Sequence, residues 1–178
     1  MKIIGVMCSP RRGANSDTMV TSALAGATEL GAETKAFVIN DMNIKGCQAC
    51  MYCKTHDGCA VQDDMQLIYK ELADADGVVI GAPVYMWQYC AQARLFIDRL
   101  YCYMNLDFTA KINKPALVLI SQGNDNPDTF VESLKKTGLI GLSVKDMIIA
   151  ADANQPDCVS KQPELLERIK QAGKKLVS

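Results

Sequence analysis

What this 178-residue chain lacks removes several classes of function. It has no excess of either charge, with 19 basic and 20 acidic residues and a formal net charge of −1. A broad nucleic-acid surface is therefore not expected. Its longest apolar runs, such as Ala116-Leu-Val-Leu-Ile120, fall far short of the roughly 18 residues that a membrane span requires. The opening Met1-Lys-Ile-Ile-Gly-Val-Met7 carries one charge and no small-residue cleavage site, so it reads as a strand and not a leader. A cytoplasmic protein is the expectation. Neither G-x-x-x-x-G-K-[ST] nor G-x-G-x-x-G occurs, which argues against a P-loop nucleotidase and a dinucleotide-binding loop. Cys8, Ser9, Pro10 and Arg11 follow the first apolar run, where a receiver-type phosphorylation domain needs acidic residues. Only one histidine is present, His56, and no general acid or base is assigned.

Cysteine, by contrast, is abundant and clustered. Four of the eight stand in thirteen residues, Cys47-Gln-Ala-Cys50-Met-Tyr-Cys53-Lys-Thr-His-Asp-Gly-Cys59. Thiolates are soft ligands suited to iron–sulfur clusters, zinc or cuprous ion, and short Cys-x2-Cys steps let one loop supply several corners of a cluster. The run resembles one arm of a bacterial ferredoxin, but has no second copy and carries Ala60 where proline would follow the last cysteine. Cys59 must then close the same cluster, so one cluster is the maximum. Structural zinc sites of four cysteines usually come as two pairs with a longer spacer. Cluster, zinc and metal-free thiols all remain open from the spacing. His56 lies inside this loop and reads as a solvated histidine, the alternative being a hydrogen bond from its ring to a cluster sulfur. Cys90, Cys102 and Cys158 read as buried thiols.

Short apolar runs alternate with amphipathic stretches along the chain. Lys2–Met7, Thr34–Ile39, Gly77–Ile80, Ala116–Ser121 and Asp146–Ala150 are predicted strands. Ser16–Leu30, Asp63–Ala73, Ala91–Tyr103, Thr129–Thr137 and Pro163–Val177 are predicted helices, with Asp63 as an N-cap and Pro163 in a first turn. Alternation of this kind implies one doubly wound α/β domain over residues 1–178, its five-stranded parallel sheet covered by helices on both faces. The cysteines fall in an irregular segment, 40–62.

In such sheets ligands bind beyond the carboxyl ends of the strands. After the first strand, Ser9, Asn15, Ser16 and Thr18 offer hydrogen bonds, Arg11 or Arg12 offers charge, and a helix follows directly; this is an anion site in outline. After the third, Pro83 is expected to stop the strand, and Val84, Tyr85, Met86 and Trp87 present flat apolar groups suited to a flat ring. After the fourth, Ser121-Gln-Gly-Asn-Asp125 offers backbone amides, with Gly123 permitting close approach.

Ser9-Pro-Arg-Arg-Gly-Ala-Asn-Ser16, the cysteine motif leading into Asp63-Asp64-Met65, Gly81-Ala-Pro-Val-Tyr85 and Phe96-Ile-Asp-Arg99 together resemble the flavodoxin-like NAD(P)H-dependent FMN reductases, and more narrowly the iron–sulfur flavoproteins. Two departures are Ala14 in place of a glycine in the phosphate loop, and Cys8 where glycine is expected, placed to crowd or tune that loop. The resemblance implies strand order 2-1-3-4-5, an FMN phosphate in the Ser9–Thr18 loop, an isoalloxazine against Pro83–Trp87 with Gly123 at its pyrimidine edge, and a [4Fe–4S] cluster on Cys47, Cys50, Cys53 and Cys59. It implies an oxidoreductase linked to NAD(P)H or a redox protein, with a small-molecule or protein acceptor, acting as a homodimer or homotetramer without nucleic acid or membrane. A cluster-free FMN or quinone reductase and a flavodoxin-like carrier are the alternatives. Asp98–Arg99 reads as a structural or subunit-contact pair.

Overall fold

The structure is a computed structural model that describes residues 1–123, 132 and 139–178. Its frame is β1 (Lys2–Met7), α1 (Asn15–Glu29), β2 (Glu33–Val38), α2 (Met65–Asp74), β3 (Gly77–Tyr85), β4 (Gln88–Tyr89), α3 (Ala91–Arg99), β5 (Lys114–Ser121), β6 (Leu142–Ala150) and α4 (Pro163–Lys175). Five parallel strands run in the order β2-β1-β3-β5-β6. Counting parallel strands alone, this is the expected 2-1-3-4-5. The central strands are buried along most of their length, as strands covered on both faces must be. One face packs Ile4, Val6, Ile80 and Val118 against Ile68, Leu72 and Phe96 from α2 and α3. The other packs Ile3, Val79 and Leu117 against Met19, Val20 and Ile169 from α1 and α4.

Several expectations are corrected. Pro83 does not stop the third strand, which continues to Tyr85 and turns back through β4, with Val84 opposite Tyr89 and Tyr85 opposite Gln88. Pro83 lacks an N–H, but its carbonyl still accepts from Cys90 N at 3.3 Å. The helix expected over Ala91–Tyr103 gives way at Leu100 to a 3-10 turn, Leu100–Tyr103. Helix α2 begins at Met65 with Asp64 just before it and making no side-chain cap; the Asp63 carboxylate accepts from Met65 N at 3.1 Å, as expected of a cap, and also pairs with Arg99 at 2.7 Å. Arg99 accordingly pairs with Asp63, while Asp98 pairs with Arg94. Cys90 and Cys102 are buried, but Cys158 is only half-buried. The helix expected at Thr129–Thr137 lies outside the described residues, Glu132 apart. No helix among the described residues is long and apolar enough to cross a membrane.

Helices α1 and α4 meet at glycines. A Cβ on Gly26 would lie 2.1 Å from the Lys170 carbonyl oxygen, and one on Gly173 2.0 Å from that of Ala23. Alanine favours a helix over glycine by about 1 kcal/mol, yet backbone atoms cannot rotate aside. Gly173→Ala is therefore expected to cost about 1–3 kcal/mol as an overpacked contact. A lower urea midpoint of the apoprotein checks this; a raised midpoint would show that the helices separate freely.

Candidate functional site

The strand order reverses at β1/β3, where β1 passes through α1 to β2 on one side and β3 lies on the other. A cavity of about 210 Å3 opens there beyond the carboxyl ends of the strands, as the crevice rule anticipates. Four connections line it: Ser9, Arg11, Ala14, Asn15 and Ser16 after β1; Pro83, Val84 and Tyr85 at the end of β3; Ser121, Gln122 and Gly123 after β5; and Ala153, Asn154 and Pro156 after β6.

The loop after β1 is built to present backbone amides. Ser9 Oγ accepts from Arg11 N at 3.0 Å and pins the turn. Gly13 adopts φ +66°, a left-handed conformation that costs glycine little. The Asp17 carboxylate, buried in the first turn of α1, accepts from Gly13 N at 2.9 Å. Burial pushes the Asp17 carboxyl up, against the Gly13 amide and the Arg12 charge. Ala14 stands at the N-cap without a side-chain acceptor for the first turn, so the helix end meets the cavity as amides and positive dipole, the arrangement that binds anions. The two arginines part company: Arg11 lines the cavity, whereas Arg12 reaches Asp41 at 3.4 Å.

Three expected phosphate donors are already committed, Ser9 among them, its hydroxyl donating to Arg11 O at 3.2 Å. Asn15 Nδ2 donates to the carbonyls of Ala153 and Gln155 at 3.0 and 2.7 Å, and its Oδ1 accepts from Val159 N. Asn15 thereby fastens the loop after β6 across the cavity. Ser16 and Ser121 hydroxyls share a buried hydrogen bond of 2.8 Å. Thr18 lies half-buried within α1 and does not line the cavity. Cys8 is fully buried, its N–H donating to Gly81 O, and faces core, not cavity.

Met86 and Trp87 form the two-residue turn between β3 and β4, with φ of +48° and +59°. Turns of this kind normally use Asn-Gly, so two large side chains held left-handed store strain, as happens at functional sites. Both are exposed, at 80% and 68%, beside but outside the cavity lining. On the opposite wall a Cβ on Gly123 would lie 2.1 Å from Asn154 Oδ1, and Asn154 Nδ2 donates to Gly123 O at 2.8 Å. Asn154 thus folds closely over Gly123; Asn124 and Asp125 lie outside the described residues. Sequence reasoning missed Ala153, Asn154 and Pro156. The rule that ligands gather at carboxyl strand ends applied equally to the strand preceding them.

Cys47, Cys50, Cys53 and Cys59 line a second, separate recess of about 20 Å3 with Arg99, Tyr101 and Cys102. Ala49 and Met51 at φ +50° and +60° coil the backbone back on itself. Lys54 Nζ donates to Tyr101 O, and Lys111 Nζ to Cys53 O at 2.9 Å, tying the loop to the segment after α3. His56 is exposed and stacks on Tyr52, with centroids 4.0 Å apart. All eight cysteines are free. Burial pushes the Cys102 thiol up to about 11, so it stands neutral beside the others.

Among the described residues no three His, Cys, Asp or Glu side chains are close enough to hold a metal ion. A single zinc would need its sulfurs about 2.3 Å from one point. A four-iron cluster interposes its own sulfides and takes thiolates set further apart, and Cys47 and Cys50, both exposed, have room to turn. Four thiols on one recess, joined there by a buried cation whose Nε has no hydrogen-bond partner among the described residues, fit a sulfur-rich anionic group by the chemistry of the donors.

Residues 1–153 match the model of the NADPH-dependent FMN reductase family. An iron–sulfur flavoprotein of Methanosarcina thermophila is 38% identical over 126 residues, 71% of this chain and 65% of that protein. Another, of Methanocaldococcus jannaschii, is 36% identical over 99 residues, 56% of this chain and 51% of its own length. The matches thus span less than two thirds of these relatives. A NAD(P)H:quinone oxidoreductase from Methanothermobacter marburgensis superposes with TM-score 0.75 at 18% identity, covering 100% of this chain and 98% of its own, which confirms the flavodoxin-like fold. The chain belongs to the NADPH-dependent FMN reductase family and within it resembles the iron–sulfur flavoproteins.

Proposed function

We propose that this protein is a cytoplasmic FMN-dependent oxidoreductase that takes electrons from NAD(P)H or a redox protein, passes them to a quinone-like or protein acceptor, and carries one [4Fe–4S] cluster on Cys47, Cys50, Cys53 and Cys59. The observation that carries this reading is the β1/β3 cavity, which sets uncapped helix amides and Arg11 on one side against Pro83–Tyr85 on the other. FMN, when bound, supplies hydride acceptance and the cluster a one-electron outlet. The protein binds and orients. The α1 amides and Arg11 hold the phosphate, with Ser9, Ser16 and Thr18 supporting the same turn. Asn15 keeps the loop after β6 closed over the site.

At about 210 Å3 the cavity is smaller than the roughly 300–1,000 Å3 of cofactor clefts. Pro83, Val84, Tyr85, Met86 and Trp87, with Gly123 opposite, are the surfaces left for the ring. The exposed Met86 and Trp87 also support a homodimer or homotetramer. The scattered thiols favour a second reading, a cluster-free FMN reductase with the same flavin site. Arg11→Ala tests the site common to both. Losing a charge-assisted hydrogen bond worth about 1.5–3 kcal/mol should weaken FMN binding roughly ten- to a hundredfold by fluorescence titration. Unchanged affinity would remove Arg11 from the site.

A further inference from the structure

Arg99 is the largest fully buried side chain among the described residues, and four of its five N–H groups have clear uses. Nη1 donates to Lys45 O at 2.8 Å and to Asp63 at 2.7 Å. Nη2 donates to Val61 O at 3.3 Å and to the other Asp63 oxygen at 3.1 Å. Lys45 lies two residues before Cys47, and Val61 two residues after Cys59. One guanidinium therefore clamps both ends of the cysteine loop.

The fifth group is anomalous. Nε is buried and has no hydrogen-bond partner among the described residues, although a buried unsatisfied donor is costly and calls for an explanation. Arg99 lines the same recess as the four cysteines. Burial opposes the Arg99 cation, and the Asp63 carboxylate with the Tyr69 hydroxyl beside it outweighs that cost and raises the guanidinium pKa. A structural clamp alone needs only the two Nη groups. What Nε requires is an acceptor, and the sulfurs of four cysteines line the same recess as Arg99.

We propose that Arg99 is a positioning residue of the cysteine site, its Nε–H held to donate a hydrogen bond to a sulfur of the group that Cys47, Cys50, Cys53 and Cys59 bind. The assignment rests on the cluster reading above. A hydrogen bond to sulfur draws negative charge away from the iron and favours the reduced state, so it raises the reduction potential. Arg99 thus couples two tasks, closing the loop and setting the poise of what the loop holds.

The test uses anaerobically reconstituted whole protein with heavy nitrogen in its arginine side chains, reduced and examined by pulsed electron paramagnetic resonance. A coupling from guanidinium nitrogen to the reduced cluster is expected in the unsubstituted protein and should disappear in Arg99→Lys. That variant keeps the positive charge but loses the planar fork. At a fixed solution potential its reduced-to-oxidised ratio should fall roughly tenfold, equivalent to about 59 mV for one electron. Full iron content with no nitrogen coupling in the unsubstituted protein overturns the assignment and leaves the cluster reading standing. Iron-free protein overturns the cluster reading and the assignment with it. Because the coupling is measured without any substitution, the test stays decisive even where Arg99→Lys folds poorly.

Discussion

Cys53→Ser is expected to abolish iron binding, from about four irons per chain to almost none, while FMN stays bound at its original stoichiometry. Cys53 is the one buried thiol of the four, so the backbone holds it most firmly, with Lys111 Nζ on its carbonyl. A serine hydroxyl at neutral pH remains protonated and is a hard ligand, poorly matched to iron in a sulfur cage. Flavin should be untouched because the two cavities share no lining residue. Iron and acid-labile sulfide assayed beside the flavin spectrum on one anaerobic sample decide the matter. Iron-free protein without any substitution, even after reconstitution, would leave a plain FMN reductase. Loss of FMN together with iron in Cys53→Ser would show that the loop supports the flavin site, against the separation of the two cavities.

The second large effect concerns the buried ion pair beneath that loop. Asp63 and Arg99 side chains are 1% and 0% exposed. Burial works to raise the Asp63 carboxyl, but the Arg99 guanidinium and the Lys45 and Met65 amides outweigh it and hold the carboxyl below its usual range. Asp63→Asn removes the charge and strands the Arg99 cation, which should destabilise the fold by about 3–5 kcal/mol at neutral pH. The sign of the pH dependence follows from the depressed pKa. The pair contributes fully above the unfolded carboxyl value of 3.8, and its contribution is lost as pH falls through the lower folded value. Unfolding midpoints of the two proteins should therefore converge below that range and stand apart above it. A constant gap across pH would show that packing around Asp63, not its charge, supplies the stability.

Much of the architecture was legible because period and burial are local properties. Strands covered on both faces must be continuously apolar, and β1, β3 and β5 are so along their buried lengths. The amphipathic α4 starts where Pro163 can occupy the first turn. Boundaries failed where a tertiary partner outbid a local signal. Pro83 lies in a strand because its neighbours carry the ladder, and Asp63 keeps the Met65 amide while also taking an arginine 36 residues away.

The candidate site divides along the same line. The Ser9–Ser16 run, the Pro83–Trp87 run and the four spaced cysteines announced themselves in the sequence, because ligand chemistry demands particular side chains at short spacings. Only the folded chain could decide that Arg11 and not Arg12 meets the cavity, that Asn15 serves the loop after β6, and that Ala153–Pro156 forms a wall. Only the fold, too, could bring Arg99 under a cysteine loop 40 residues and more away in the chain. Side-chain composition is written residue by residue, but the acceptor that a buried donor finds depends on which surfaces the sheet and its two helix layers press together, and no spacing in the chain encodes that meeting.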